Sequence, residues 1–104
     1  SIIDENADIY IPDIFTPDGD GINDTWSIQA SDAIQEIELV GIYDRWGENI
    51  YSREHIPVSI SGTSLWDGRY KGKPVNPGVY VYYIIFKTHT GKSIRKAGDI
   101  TVIR

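Results

Sequence analysis

Between Ile14 and Trp26 the chain reads Ile14-Phe15-Thr16-Pro17-Asp18-Gly19-Asp20-Gly21-Ile22-Asn23-Asp24-Thr25-Trp26. The carboxylates of Asp18, Asp20 and Asp24, the amide oxygen of Asn23 and the carbonyl of Ile22 are hard oxygen donors in one short loop. Ca²⁺ takes roughly six to eight such donors, supplied from alternate side chains and intervening carbonyls. Gly19 and Gly21 allow the backbone to curl tightly enough for them to converge. The loop lacks the bidentate Glu that closes an EF-hand. A second reading stays open, in which Asp18 and Asn23 accept bonds from nearby backbone N–H groups and make a tight turn. Three carboxylates crowded without a cation would repel one another, which keeps calcium in play. No cofactor is required, and Ca²⁺ is the one candidate.

Two further places carry chemistry of recognition. Trp46, with Arg45 beside it, falls at a turn, where a large aromatic either folds onto its own sheet or faces a partner. Folding back is the commoner outcome and is expected here. Trp66 and Tyr70 flank Asp67-Gly68 and would serve as a sugar platform in a carbohydrate-binding or adhesion module. The competing expectation is that Trp66 plugs the end of the fold. His55 and His89 have no visible third ligand for zinc. No Ser-His-Asp arrangement and no phosphate-cradling motif announces itself, so an enzyme is not expected.

The elements holding these residues read as strands. Asp24–Ala30 alternates. Glu36–Tyr43 places Ile37, Leu39 and Tyr43 on one face, with Val40 and Ile42 on the other. Asp44–Asn49 turns the chain into a short return strand ending at Ser52. Residues 53–64 read as a loop with room for one short edge strand. Val79–Thr88 is the strongest strand signal, and Ser93–Ile103 follows it with a bend near Ala97-Gly98. Tyr80, Tyr82 and Tyr83 are mostly architecture, with buried rings and wet hydroxyls. No helical period is sustained. The spacing predicts an all-β, antiparallel, immunoglobulin-like β-sandwich of about seven strands, without the Cys-Trp-Cys signature of antibody domains.

Bulk properties bound the rest. The 104 residues make one domain, with a core expected over about 9–104. There is no Cys, hence no disulfide framework and no thiolate chemistry. From Ser1 to Val40 there are ten acidic residues and no Lys or Arg; from Gly41 to Arg104 there are five acidic and ten basic residues. These halves carry −10 and +5, summing to −5. Neutralisation between neighbouring strands accounts for this more simply than a charged partner. Nucleic-acid binding is not expected, because no basic stripe is interleaved with aromatics. No apolar run is long enough to span a bilayer, and no signal peptide is visible. The chain reads as a piece of a longer protein.

Four phrases then occur in order: IPDIFTPDGDGINDTW, ELVGIYDRWGENIY, LWDGRYKGKPVNPGVYVYYI and KAGDITVIR. Together they resemble the gliding-motility-associated C-terminal domain of Bacteroidetes, also described as the type B sorting domain of the type IX secretion system. The resemblance runs from about Ile9 to Arg104. Asp18 and Asp44 stand where that family usually has Asn; both changes keep an oxygen acceptor. The resemblance implies a non-enzymatic sorting domain at the C-terminus of an exported protein. It implies a domain read as a folded unit by outer-membrane secretion components after periplasmic transit, with delivery to the outer-membrane surface or the medium; a monomer is expected. If a surface of the sandwich is read, the tips near Asp18–Asp24 and near Arg45 and Trp46, together with the terminal strand from Asp99 to Arg104, are the candidates.

Overall fold

The computed structural model of the chain describes residues 9–17, 25–59 and 61–103. Strands β1 (Ile9–Tyr10), β3 (Trp26–Ala30) and β6 (Thr63–Trp66) form one layer in the order β1-β3-β6. The facing layer is five-stranded, in the order β2 (Ile14–Phe15), β10 (Ser93–Val102), β9 (Gly78–Thr88), β4 (Ile34–Tyr43), β5 (Asn49–Pro57). A small hairpin, β7 (Arg69–Tyr70) and β8 (Lys73–Pro74), stands apart. No helix forms among the described residues. This is the expected immunoglobulin-like sandwich, with one parallel ladder: Ile14 faces Thr101 and Phe15 faces Val102 where β2 joins β10.

The first segment crosses between layers. β1 pairs with β3, and four residues later β2 pairs with β10. Pro12 lies at the crossing, where a missing N–H breaks no ladder. Its carbonyl accepts a 2.7 Å bond from the Trp26 indole N–H, which satisfies a donor that is otherwise fully buried.

Side chains alternate strictly along β9. Tyr80, Ile84, Phe86 and Thr88 are buried, while Val79 and Val81 face out. Opposite them, Trp26, Ile28 and Ala30 fill the inner face of β3. Each fully buried Ile or Phe here contributes about 1.5–3 kcal/mol relative to exposure. Aromatic pairs tie the layers together: Phe15 to Trp66 at 5.5 Å, Trp66 to Tyr80 at 5.4 Å, and Trp26 to Tyr82 at 5.4 Å between ring centroids. At the start of β9 the Tyr80 hydroxyl donates a 2.6 Å bond back to the Asn76 carbonyl. That is the tyrosine corner of immunoglobulin-like sandwiches.

Two sequence expectations are corrected. In β4 the buried positions are Ile34, Ile37, Val40 and Ile42, because the ladder to β9 shifts register between Ile34 and Glu36 and again between Ile37 and Leu39. Each bulge inserts one residue and resets the phase, so Ile37 joins Val40 and Ile42 while Leu39 and Tyr43 turn outward. β5 continues past Ser52 to Pro57, pairing as far as Glu36. Its Arg53-Glu54-His55 stretch hides the strand signal because β5 is a charged edge, with His55 at φ 54°. β10 pairs with β9 residue by residue from Ser93 to Val102, Ala97 and Gly98 included.

Candidate docking surface

The turn after β4 is tied on every side. The Gly47 N–H donates to the Asp44 carbonyl at 3.0 Å, and the Asp44 N–H donates to the Glu48 carbonyl at 3.0 Å. One side-chain oxygen, Asp44 Oδ1, accepts from both the Trp46 and Glu48 N–H groups at 2.9 Å. Gly47 sits at φ 86°, a conformation that glycine adopts without strain. An Asn oxygen could accept the same two bonds, which explains physically why Asp44 can stand in an Asn position.

This bracing overturns the expectation that Trp46 folds back. Its backbone is fixed at the tip, and the indole is 83% exposed. What it meets is Arg45, whose guanidinium carbon lies 5.7 Å from the ring centroid. Trp46 and Val79 line one shallow hollow of about 110 Å³, together with Arg45, Pro77 and Gly78. A neighbouring hollow of about 410 Å³ is lined by Glu48, Tyr70, Lys71 and Lys73. Asp44, Asn76 and Tyr80 border both.

The sugar platform is also corrected. Trp66 is wholly buried, wedged between Phe15 and Tyr80, with its N–H bonded to the Arg69 carbonyl at 3.1 Å. It plugs the end of the sandwich, and no face is left for a sugar ring. The Tyr70 hydroxyl donates to Glu48 Oε2 at 3.1 Å, and the Lys71 ammonium lies 5.3 Å from its ring centroid. Lys71 and Gly72, both at positive φ, make the tight hairpin turn that puts that ammonium there.

The remaining candidates divide. Asp99 is exposed on β10, opposite Val81. Arg104 lies outside the described residues, as do Asp18, Asp20, Ile22, Asn23 and Asp24. The two aromatics that bracket the Asp-Gly loop are both core anchors: Phe15 is 2% exposed and Trp26 is 0%. Pro17, leading into the loop, packs so close to Gly68 that a Cβ there would lie 2.8 Å from its ring. Among the described residues no three His, Asp or Glu converge as a metal site.

A protein-family model described as the type IX secretion signal domain matches residues 9–102. The chain belongs to that family. The matched span opens on the first residue of β1 and closes on the last residue of β10. No curated protein matches the sequence. A type IX secretion signal domain acts in sorting, engages the secretion machinery and directs export out of the cell. The family is one of signals, not of enzymes.

Sequence reasoning missed one feature of this signal domain, an apolar strip on the outer face of the five-stranded layer. Ile14, Val79, Val81 and Ile103 are each between 42% and 52% exposed. The alternation Val79-Tyr80-Val81-Tyr82 held the signal, since inward Tyr at two positions forces Val outward at the others.

Proposed function

We propose that this chain is a sorting domain of the gliding-motility-associated, type B class, read as a folded unit by outer-membrane components of the type IX machinery. It would stand at the C-terminus of a larger exported protein, cross the periplasm folded, and deliver its cargo to the outer-membrane surface or the medium. It works as a monomer, by presenting a surface, without catalysis and without inserting into the bilayer or binding nucleic acid.

One observation carries this reading. The family match is coextensive with the sandwich, from its first strand to its last. A short linear signal would need only a few residues; a signal as long as the fold argues that the fold itself is what is recognised. A preorganised body also binds without the ordering cost of a flexible tail. The test is to fuse residues 1–104 to a periplasm-directed reporter in a type IX-competent cell. Appearance of the reporter outside the cell supports the reading, and periplasmic retention contradicts it.

A further inference from the structure

We infer that the bare edge of β10, from Ser93 to Asp99, seats a short extended segment of the secretion machinery, which joins the five-stranded layer as a further strand. This rests on the sorting-domain reading and names what the machinery presents to the domain.

β10 has two edges, and only one is filled. Toward β9 it pairs at every residue from Ser93 to Val102. Toward β2 it pairs only at Thr101 and Val102. There the N–H groups of Thr101 and Ile103 donate to the Asp13 and Phe15 carbonyls. Those two bonds fix the phase of the strand. The β9–β10 register has no shift, so backbone groups alternate between the two edges without interruption. The N–H and C=O groups of Ser93, Arg95, Ala97 and Asp99 therefore point the same way as those of Thr101. No strand lies beyond them among the described residues. β2 leaves this stretch bare because the chain ahead of Asp13 crosses to the other layer, where Ile9 and Tyr10 pair with β3.

The backbone groups choose the occupant. Donors and acceptors recur about every 7 Å along this edge, the two-residue step of a strand, and another extended backbone matches them all at once. The opposite edge of the layer is protected. β5 holds His55 at φ 54°, which interrupts its row, and it ends on Pro57. β10 keeps negative φ throughout. The ladders also limit the length of the added strand and exclude a second copy. Ile14 stands opposite Thr101, so Asp13 stands beside Ile100 and stops an added strand there. A two-fold pairing about Ala97 would set Arg95 against Asp99 of the second copy, but Ile94 of that copy would fall on Asp13. Moving the axis to Lys96 or to Arg95 sets that cation against itself. A separate segment that ends at Asp99 meets neither conflict.

The experiment uses the reporter fusion of residues 1–104 with proline on the bare edge. Proline at residue 95 or 97 removes an outward N–H and no bond to β9, because those N–H groups point away from β9. Arg95→Pro and Ala97→Pro should each lower the exported fraction by about tenfold or more. Ala97→Lys keeps the N–H and alters only the outer face, and should retain most export. The purified proline variants should melt within several degrees of the parent. In the purified parental domain the Arg95 and Ala97 amides should exchange with D2O far faster than those of Lys96 and Gly98. Equal protection of all four would mean that the chain covers its own edge, and overturns the proposal. Parental export of both proline variants also overturns it while leaving the sorting reading intact. So does a loss in Ala97→Lys as deep as in Ala97→Pro, which would assign the effect to the outer face. Where a proline variant unfolds, a photo-crosslinker at residue 97 of the parental fusion decides. An adduct with another protein that forms only in cells carrying the type IX machinery supports the proposal. No adduct, or adducts only with this chain, overturns it. A parental fusion that stays inside the cell sinks both readings.

Discussion

The Tyr82 ring covers Gly98 on the neighbouring strand. A Cβ at residue 98 would stand 2.8 Å from the Tyr82 hydroxyl oxygen and 2.9 Å from its ring carbon Cε2. The two residues face each other across the β9–β10 ladder, and the same ring packs on Trp26 in the opposite layer. Gly98→Ala must therefore displace a ring that an indole holds in place. The expected cost is about 1–3 kcal/mol, the usual range for overpacking. Urea titration of the purified domain measures it; an unchanged midpoint would mean that the ring swings aside freely.

The same tyrosine gives the domain an alkaline limit. Burial pushes the Tyr82 hydroxyl above the usual tyrosine value of 10.0, with the Asp13 and Asp99 carboxylates adding to the shift. Burial raises Tyr51 as well, with the Arg53 guanidinium opposing. A folded pKa raised above the unfolded one means that the folded state holds the proton more tightly. The associated stability is complete below the unfolded value near 10 and is lost as pH rises through the higher folded value. Melting temperature should thus fall above pH 10, and less steeply in Tyr82→Phe. Superimposable alkaline limbs for parent and variant would contradict this.

The two turn-region tryptophans should separate cleanly. Trp66 is wholly buried between two aromatic rings, and Trp66→Ala should cost about 3–5 kcal/mol. Trp46 is 83% exposed, and Trp46→Ala should change folding stability by no more than about 0.5 kcal/mol. Denaturant midpoints of the two variants check the contrast. A large loss in Trp46→Ala would assign that residue to the fold and not to a partner.

The sandwich was legible because its long strands carry their own signals. Alternation in Val79–Thr88 and the glycine of the Asp44–Asn49 turn both survive tertiary packing. The β4 face pattern was not legible, since nothing local marks the two bulges that reset it. The sequence signal of β5 stops at Ser52, because an edge strand is kept polar against unwanted pairing. Trp46 and Trp66 read alike in sequence, each beside a glycine turn. Their fates differ because Trp66 ends a strand whose partner is Trp26, whereas Trp46 sits at a tip braced by Asp44. That distinction depends on which strand lies opposite, and local sequence does not encode it.

The Asp-Gly loop has a direct thermodynamic readout. A cation held by Asp18, Asp20, Asn23 and Asp24 binds only the folded state and must stabilise it. Under the calcium reading, excess Ca²⁺ raises the melting temperature, and chelator lowers it by an amount that grows with the calcium removed. Asp20→Ala then abolishes the response. Curves that coincide with Ca²⁺ and with chelator would assign these residues to turn-making.

The most direct measurement compares two fusions of residues 1–104 to one reporter in a type IX-competent cell: the parental sequence and Trp66→Ala, which removes the plug of the sandwich without touching its exposed face. The fraction of reporter outside the cell is read relative to the total made. If the folded sandwich is the signal, the parental fusion is exported and the Trp66→Ala fusion stays behind or is degraded. Equal export of both, or retention of the parental fusion in the periplasm, would contradict the account.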